Sequence, residues 1–285
     1  MATTQRQPVM KARLAWQAGL LNLWSGLGYL YGGQPLRALG AMLVLDVFFP
    51  VLMLLSPVRL LPLVLIGGIQ LLFKLWTVRD AGRWAKRVGS GYQLQWYNRW
   101  YVYLFWSLLV YFSADFVAGH IRAHHVQAFK IPSGTMLPTL QIGDHLLVDK
   151  GAYKTHEPRR GDVIVFPYPR DPSKNFIKRV VAVGGDTIEI RHKVVSLNGS
   201  TVDDPHATFK YGEQEIPGPR DNFGPITIPP HKLFVMGDNR DESHDSRFWG
   251  FVDCGVVLGK AKVIYWSWDA DALRVRWERI SQVLE

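Results

Sequence analysis

Long apolar runs occupy the first 120 positions of the chain, and short ones rich in Val, Ile and Phe occupy the rest. Residues 38–55 (ALGAMLVLDVFFPVLMLL) and 60–77 (LLPLVLIGGIQLLFKLWT) each approach the length at which a helix crosses a hydrocarbon core. Ser56 to Arg59 leaves room only for a tight hairpin between them. A third run, Trp100 to Val117, is rich in Trp, Tyr and Phe, and rings at its ends suit interfacial belts. Asp46 and Lys74 interrupt the first two runs, and each is costly in lipid unless it faces protein or reaches the interface. Leu14 to Tyr31 mixes Gly19, Gly26 and Gly28 with Gln17, Asn22 and Ser25, which fits an interfacial or re-entrant helix better than a fourth span. A cleavable signal peptide is the competing reading, but no small-x-small cleavage site follows.

Beyond residue 120 the period changes. Short runs bounded by Gly, Pro, Asp and Asn predict strands over His145–Val148, Asp162–Phe166, Phe176–Val183, Thr187–Arg191, Lys193–Leu197, Lys232–Met236 and Val256–Trp266. Asn198-Gly199 after VVSL is a hairpin turn signal. Residues 203–230 are polar and carry Pro205, Pro217, Pro219, Pro225, Pro229 and Pro230, so they read as a long surface excursion that cannot pair as central strands. The pattern predicts a membrane-anchored all-β protein: transmembrane helices followed by a barrel or sandwich of short strands. Its parts are a cytoplasmic or interfacial segment (1–36), a membrane region with about three helices (37–120) and an extracytoplasmic β-rich domain (121–285).

Charge sharpens this division. Residues 1–120 hold 11 Lys+Arg against 3 Asp+Glu, a net +8, whereas the remainder holds 22 against 21, a net +1. The basic residues sit between apolar runs instead of forming a basic tract with interleaved aromatics, so they read as a membrane orientation signal and not as a nucleic-acid footprint. Arg6, Lys11, Arg13 and Arg37 precede the first span, and Arg79, Arg83, Lys86, Arg87 and Arg99 separate the second from the third. Both segments are then cytoplasmic, and the third helix leads outward. The lone Cys254 excludes an intrachain disulfide and a cysteine metal cage. No His pair has zinc-ligand spacing, so neither a metal nor a cofactor is expected.

Three segments of the second half carry more reactive groups than a β-domain needs. In Pro132-Ser133-Gly134-Thr135-Met136, positions i and i+2 of an extended chain point the same way, and the glycine between admits a close backbone. Two hydroxyls can therefore face one small site. In Phe176-Ile177-Lys178-Arg179, alternation sends one of the two basic residues inward. A buried lysine has its charged form disfavoured, which leaves a free amine able to act as a base. The third segment, Gly237 to Arg247 (GDNRDESHDSR), is a polar loop straight after KLFVM.

These residues resemble the bacterial type I signal peptidases, membrane-anchored serine/lysine endopeptidases. FKIPSGTMLPTLQIGDHLLVDK is similar to the family's nucleophile segment, GDVIVFPYP and NFIKRVVAVGGD to its lysine-bearing strands, and GDNRDESHDSRFWGFV to its C-terminal signature. The resemblance covers roughly residues 129–252. It implies Thr135 at the nucleophile position, Lys178 as general base, Ser133 in oxyanion support, Ser243 orienting the lysine, and Asp245 with Arg247 as a supporting ion pair. Phe129, Ile131, Met136, Leu140 and Ile177 fall where the family builds shallow pockets for small side chains before the cut. The implied partners are signal peptides of exported preproteins, the lipid bilayer and the translocation machinery, at the bacterial inner membrane, with no nucleic acid.

The sequence departs from the family at one point. Threonine stands where serine is usual, and its extra methyl restricts χ1 and crowds attack on a carbonyl, although threonine serves as nucleophile in other hydrolases. The alternative reading is a weak or inactive relative that binds signal sequences without cutting. Taken singly, a Pro-Ser-Gly-Thr loop is most often a turn, and a lysine in an apolar strand most often snorkels to solvent. Their combination in family order argues for the enzyme.

Overall fold

A computed structural model of the chain describes residues 10–11, 13–55 and 60–284, so the hairpin expected at Ser56–Arg59 and the charge at Arg6 lie outside the described residues. The chain forms two units, the second beginning at Ala123.

In the first unit a short pair, β1 (Met10–Lys11) with β2 (Tyr92–Gln93), accompanies helices α1 (Ala15–Leu21), α2 (Leu27–Tyr31), α3 (Pro35–Met42), α4 (Phe49–Leu55), α5 (Leu60–Val88) and α6 (Trp100–His124). A π-helical stretch, Leu43–Phe48, joins α3 to α4. Three helical stretches are long and apolar enough to cross a membrane: Pro35–Met53, Leu61–Val88 and Trp100–Val117. They overlap the three apolar runs. The segment before them folds into α1 and α2, of 7 and 5 residues, too short to cross at about 1.5 Å per residue. Gly28 permits their close packing, since a Cβ there would lie 2.0 Å from the carbonyl oxygen of Ala18. The two awkward charges are both turned toward protein: Ser25 Oγ donates to Asp46 Oδ1 at 3.0 Å and accepts from Lys74 Nζ at 3.2 Å. Trp106 Nε1 donates to the Ser25 carbonyl at 2.8 Å, which brings α6 to the same point.

The second unit is built of strands β3 (Val126–Lys130), β4 (Asp144–Asp149), β5 (Val163–Tyr168), β6 (Asp171–Val183), β7 (Thr187–Arg191), β8 (Val194–Leu197), β9 (Ser200–Thr201), β10 (Phe223–Thr227), β11 (Lys232–Met236), β12 (Val252–Asp253), β13 (Gly259–Asp269) and β14 (Arg274–Val275), with a short helix α7 (Ser246–Trp249). The larger sheet runs β12-β11-β6-β5-β13-β4-β3, with β14 added to β13, and the smaller runs β10-β7-β8-β9. The order of the larger sheet is open, with β12 and β3 at its ends. The domain is sheet-rich as expected, and no pairing among the described strands closes it into a barrel.

The continuous apolar run in β5 shows why both faces of the larger sheet are covered. Val163 and Val165 enter one cluster with Ile131, Met136, Leu140, Leu146 and Ile264, whereas Ile164 and Phe166 enter another with Val180, Leu233 and Val235. Half-buried Trp249 packs on Phe166 at 5.9 Å between ring centroids, while Trp277 is exposed. Asn198 and Gly199 turn the β8–β9 hairpin with φ of 52° and 83°, as the dipeptide predicts. The surface excursion contains one strand, which the prolines allow only away from the centre of a sheet. β10 pairs with β7, but only as an edge strand and with a register shift between Phe223 and Ile226, so Pro225 costs the sheet no central hydrogen bond.

Candidate active site

The nucleophile segment leaves β3 at Lys130, and its polar groups are held from behind by the loop after β11. Asn239 donates its backbone N–H to the Thr135 carbonyl at 3.2 Å and its Nδ2 to the Gly134 carbonyl at 3.1 Å. Gly237 has to be glycine here: a Cβ would stand 2.4 Å from the Thr135 carbonyl oxygen and 2.3 Å from Ser243 Oγ. Lys178 arrives from β6, paired opposite Ile164 of β5.

Lys178 and Thr135 meet: Nζ lies 2.7 Å from Oγ1. The lysine is only 3% exposed. Burial pushes its pKa down from 10.5 to about 8, against the upward pull of the Asp245 and Asp238 carboxylates. A neutral amine beside a hydroxyl is the arrangement that general-base activation requires. The hydroxyl of Thr135 points at the amine in spite of its methyl.

Both basic residues of the pair are buried, not one. The sheet is covered on both faces, and Arg179 finds a carboxylate on its own side. Its Nε and Nη2 each donate to Asp238 at 2.9 Å, and Nη1 donates to the Gly161 carbonyl at 2.8 Å. Thr139 Oγ1 adds a 2.6 Å hydrogen bond to Asp238. Asp245 and Arg247 form the expected pair, bidentate at 2.8 Å and fully buried. Burial alone would raise the Asp245 carboxyl, but Arg247, with the Gly237 N–H at 3.1 Å, holds it below its ordinary range. Ser243 departs from expectation. Its hydroxyl is buried beneath Gly237 beside the Asp245 carboxylate, which it helps to hold ionised, while the lysine amine is turned to Thr135.

A cleft of about 340 Å³ opens beside the pair. Phe129, Ile131, Ile177 and Val165 give it apolar walls, and Ser133 stands on its exposed edge. Met136 and Leu140 do not line it; both are fully buried in the core cluster that also holds Ile131. The cleft adds Lys130, Asn175, Phe176 and His244, which sequence reasoning missed. Their signal was adjacency: Asn175 and Phe176 stand shortly before Lys178 in β6, and His244 lies between Ser243 and Asp245. Among the described residues no group of His, Cys, Asp and Glu is placed to hold a metal ion.

A buried lysine hydrogen-bonded to a hydroxyl beside an open apolar cleft fits the class of serine-type hydrolases. Comparison with known proteins gives the same class. The model of the signal peptidase family, peptidase S26, matches residues 104–266. Signal peptidase I of Aquifex aeolicus is 36% identical over 200 residues, 52% of this chain and 78% of the relative. Signal peptidase I of Leptolyngbya laminosa is 39% identical over 155 residues, 51% of this chain and 71% of the relative. That of Pseudomonas aeruginosa is 34% identical over 201 residues, covering 55% and 71%. The chain belongs to the peptidase S26 family and is a serine-type endopeptidase.

Proposed function

We propose that the protein removes N-terminal signal peptides from exported preproteins, cutting after small residues, with Thr135 as nucleophile and Lys178 as general base. The observation that carries this reading is the 2.7 Å contact between the two side chains at the foot of an apolar cleft. Neutral Lys178 takes the proton as Thr135 Oγ1 attacks the scissile carbonyl. The tetrahedral oxyanion is held by the Thr135 N–H and the Ser133 hydroxyl; its collapse breaks the peptide bond and expels the new amino terminus, which takes the proton from Lys178, and water deprotonated by the neutral lysine then releases the acyl group. Shallow walls of Phe129, Ile131 and Ile177 admit small side chains and exclude large ones.

The test is cleavage of a preprotein by the purified chain, read by the N-terminal sequence of the product. A defined cut after a small residue is expected; an intact preprotein at saturating enzyme would sink the reading. The base also sets a pH dependence. Because the amine must be neutral, kcat/KM should rise with a slope of about one as pH increases toward about 8, and level off above it. A flat profile between pH 6 and 9 would remove Lys178 from the proton transfer.

The reading includes a membrane anchor of three helices, with the peptidase domain on the extracytoplasmic face. Leu61, Leu72, Phe105, Phe112 and Phe116 are each more than 60% exposed on α5 and α6, a surface suited to lipid tails and not to water. The basic residues around Arg37 and between Arg79 and Arg99 support a cytoplasmic position for those segments. Protease added to the cytoplasmic side of sealed vesicles should spare residues beyond 123, and digestion of the domain from that side would reverse the orientation. Anchoring enzyme and substrate in one plane raises their effective concentration.

A further inference from the structure

The cleft beside Thr135 contains no carboxylate. Its polar lining is Lys130, Ser133, Thr135, Asn175, Lys178 and His244. Burial divides this lining into levels: Ile131 and Val165 are each 2% exposed and form the floor, while Asn175 and His244 are exposed and form a rim.

The rim is held in place. His244 lies between Ser243 and Asp245, both 0% exposed, so its backbone has no freedom to swing away. Its ring stacks on Phe248 at 5.1 Å and 25°, and Nε2 lies 3.4 Å from the Tyr168 hydroxyl. Tyr168 in turn stacks on Phe176 at 4.3 Å and 10°, next to Asn175 in the chain. Either atom of the Tyr168–His244 contact can be the donor; in the tautomer that accepts at Nε2 the imidazole offers Nδ1–H as a donor. The Asn175 amide and the Lys130 ammonium are further donors on the lining.

An extended substrate strand alternates its side chains. If the residues immediately before the cut and two earlier point to the apolar floor, the residue between them points away from it. We propose that Asn175 and His244 form a polar subsite that reads this intervening side chain and favours one carrying an oxygen acceptor: Gln, Asn, Glu or Asp. A branched apolar side chain gains none of these hydrogen bonds and leaves the donors to water, and a Lys or Arg meets the ammonium of Lys130 and no counter-charge on the lining. The subsite rests on the function proposed above, since it presumes a peptide strand in the cleft.

The experiment uses the full chain in detergent micelles and peptides with an Ala-x-Ala cut site, where x is Gln, Glu, Leu or Lys. The expected kcat/KM is roughly fivefold or more higher for Gln and Glu than for Leu, with Lys lowest. In the double variant Asn175→Ala/His244→Leu the Gln-to-Leu ratio should fall to about one, whereas His244→Gln, which keeps a donor, should preserve much of it. Equal constants for Gln and Leu in the parent, or a ratio that survives the double variant, would overturn the subsite alone. Failure to cut any of the peptides would overturn the proposed function and the subsite with it. The ranking of peptides by the parent needs no variant, so a variant that fails to fold leaves the decisive comparison standing.

Discussion

Thr135→Ala is expected to abolish preprotein cleavage, lowering kcat by a factor of roughly 10⁴ or more, because the proposed attacking oxygen is lost and, among the described residues, it is the Thr135 hydroxyl that hydrogen-bonds Lys178 Nζ. Lys178→Met should lose as much, and Lys178→Arg no less. Arginine preserves the positive charge but cannot deprotonate, so activity in Lys178→Arg would show that the lysine acts by its charge and not as a base. Thr135→Ser should go the other way, with a gain of roughly two- to tenfold. Removing the methyl frees χ1 and relieves crowding at the carbonyl, effects of about 0.5–1.5 kcal/mol. Full activity in Thr135→Ala would instead move the nucleophile elsewhere, with Ser133 the first candidate. The same lysine carries a cost in stability. Its folded pKa lies below its unfolded one, so the unfolded chain binds more protons between about pH 8 and 10.5, and stability rises with pH across that window. Lys178→Met should accordingly be more stable than the parent near neutral pH.

Much of this was legible before any coordinates. Thr187–Arg191 and Lys232–Met236 form strands from end to end as expected, since each is a short apolar run with turn residues at both borders. The three apolar runs form three long helices because nothing but length and hydropathy is needed to specify them. The parts that were not legible depend on partners distant in the chain. Alternation correctly put one face of β6 toward the core, but it does not show that Asp238, 59 positions later, waits on the other face for Arg179. Met136 and Leu140 follow the nucleophile closely, yet the turn after Thr135 carries them under the cleft into the core. Asp46 and Lys74 looked like flaws in two spans. Ser25, from a segment with no clear pattern, is what brings them together. His244 was hidden for the opposite reason, since a single exposed residue inside a polar loop leaves no periodic trace.

The buried pair under the site should dominate the stability of the peptidase domain. Asp245→Ala leaves the Arg247 guanidinium, 4% exposed, with the carbonyls of Arg220 and Arg240 as its acceptors among the described residues. An uncompensated buried charge of this kind costs about 3–5 kcal/mol. Urea unfolding followed by tryptophan fluorescence should show it as a large fall in the midpoint. By contrast, Arg160 is half-exposed, and the buried Asp186 it pairs with also accepts from the Val183 N–H and Asn198 Nδ2, so Arg160→Ala should cost no more than about 1 kcal/mol. The sign in pH follows from the depressed Asp245 carboxyl: its contribution is fully present above the ordinary carboxylate range and is lost as acid titrates the folded state. Asp245→Asn offers a second reading at the active site. The carboxylate pulls the Lys178 pKa upward, so its removal should shift the midpoint of the pH–rate profile below about 8. The double variant Asp245→Leu/Arg247→Met removes both charges and should recover most of the lost stability, because two apolar side chains satisfy a buried space that one unpaired ion does not. If the single and double variants are equally unstable, the pair holds the loop by shape and not by charge, and the coupling between this loop and the lysine has to be sought in the backbone contacts of Gly237 and Asn239.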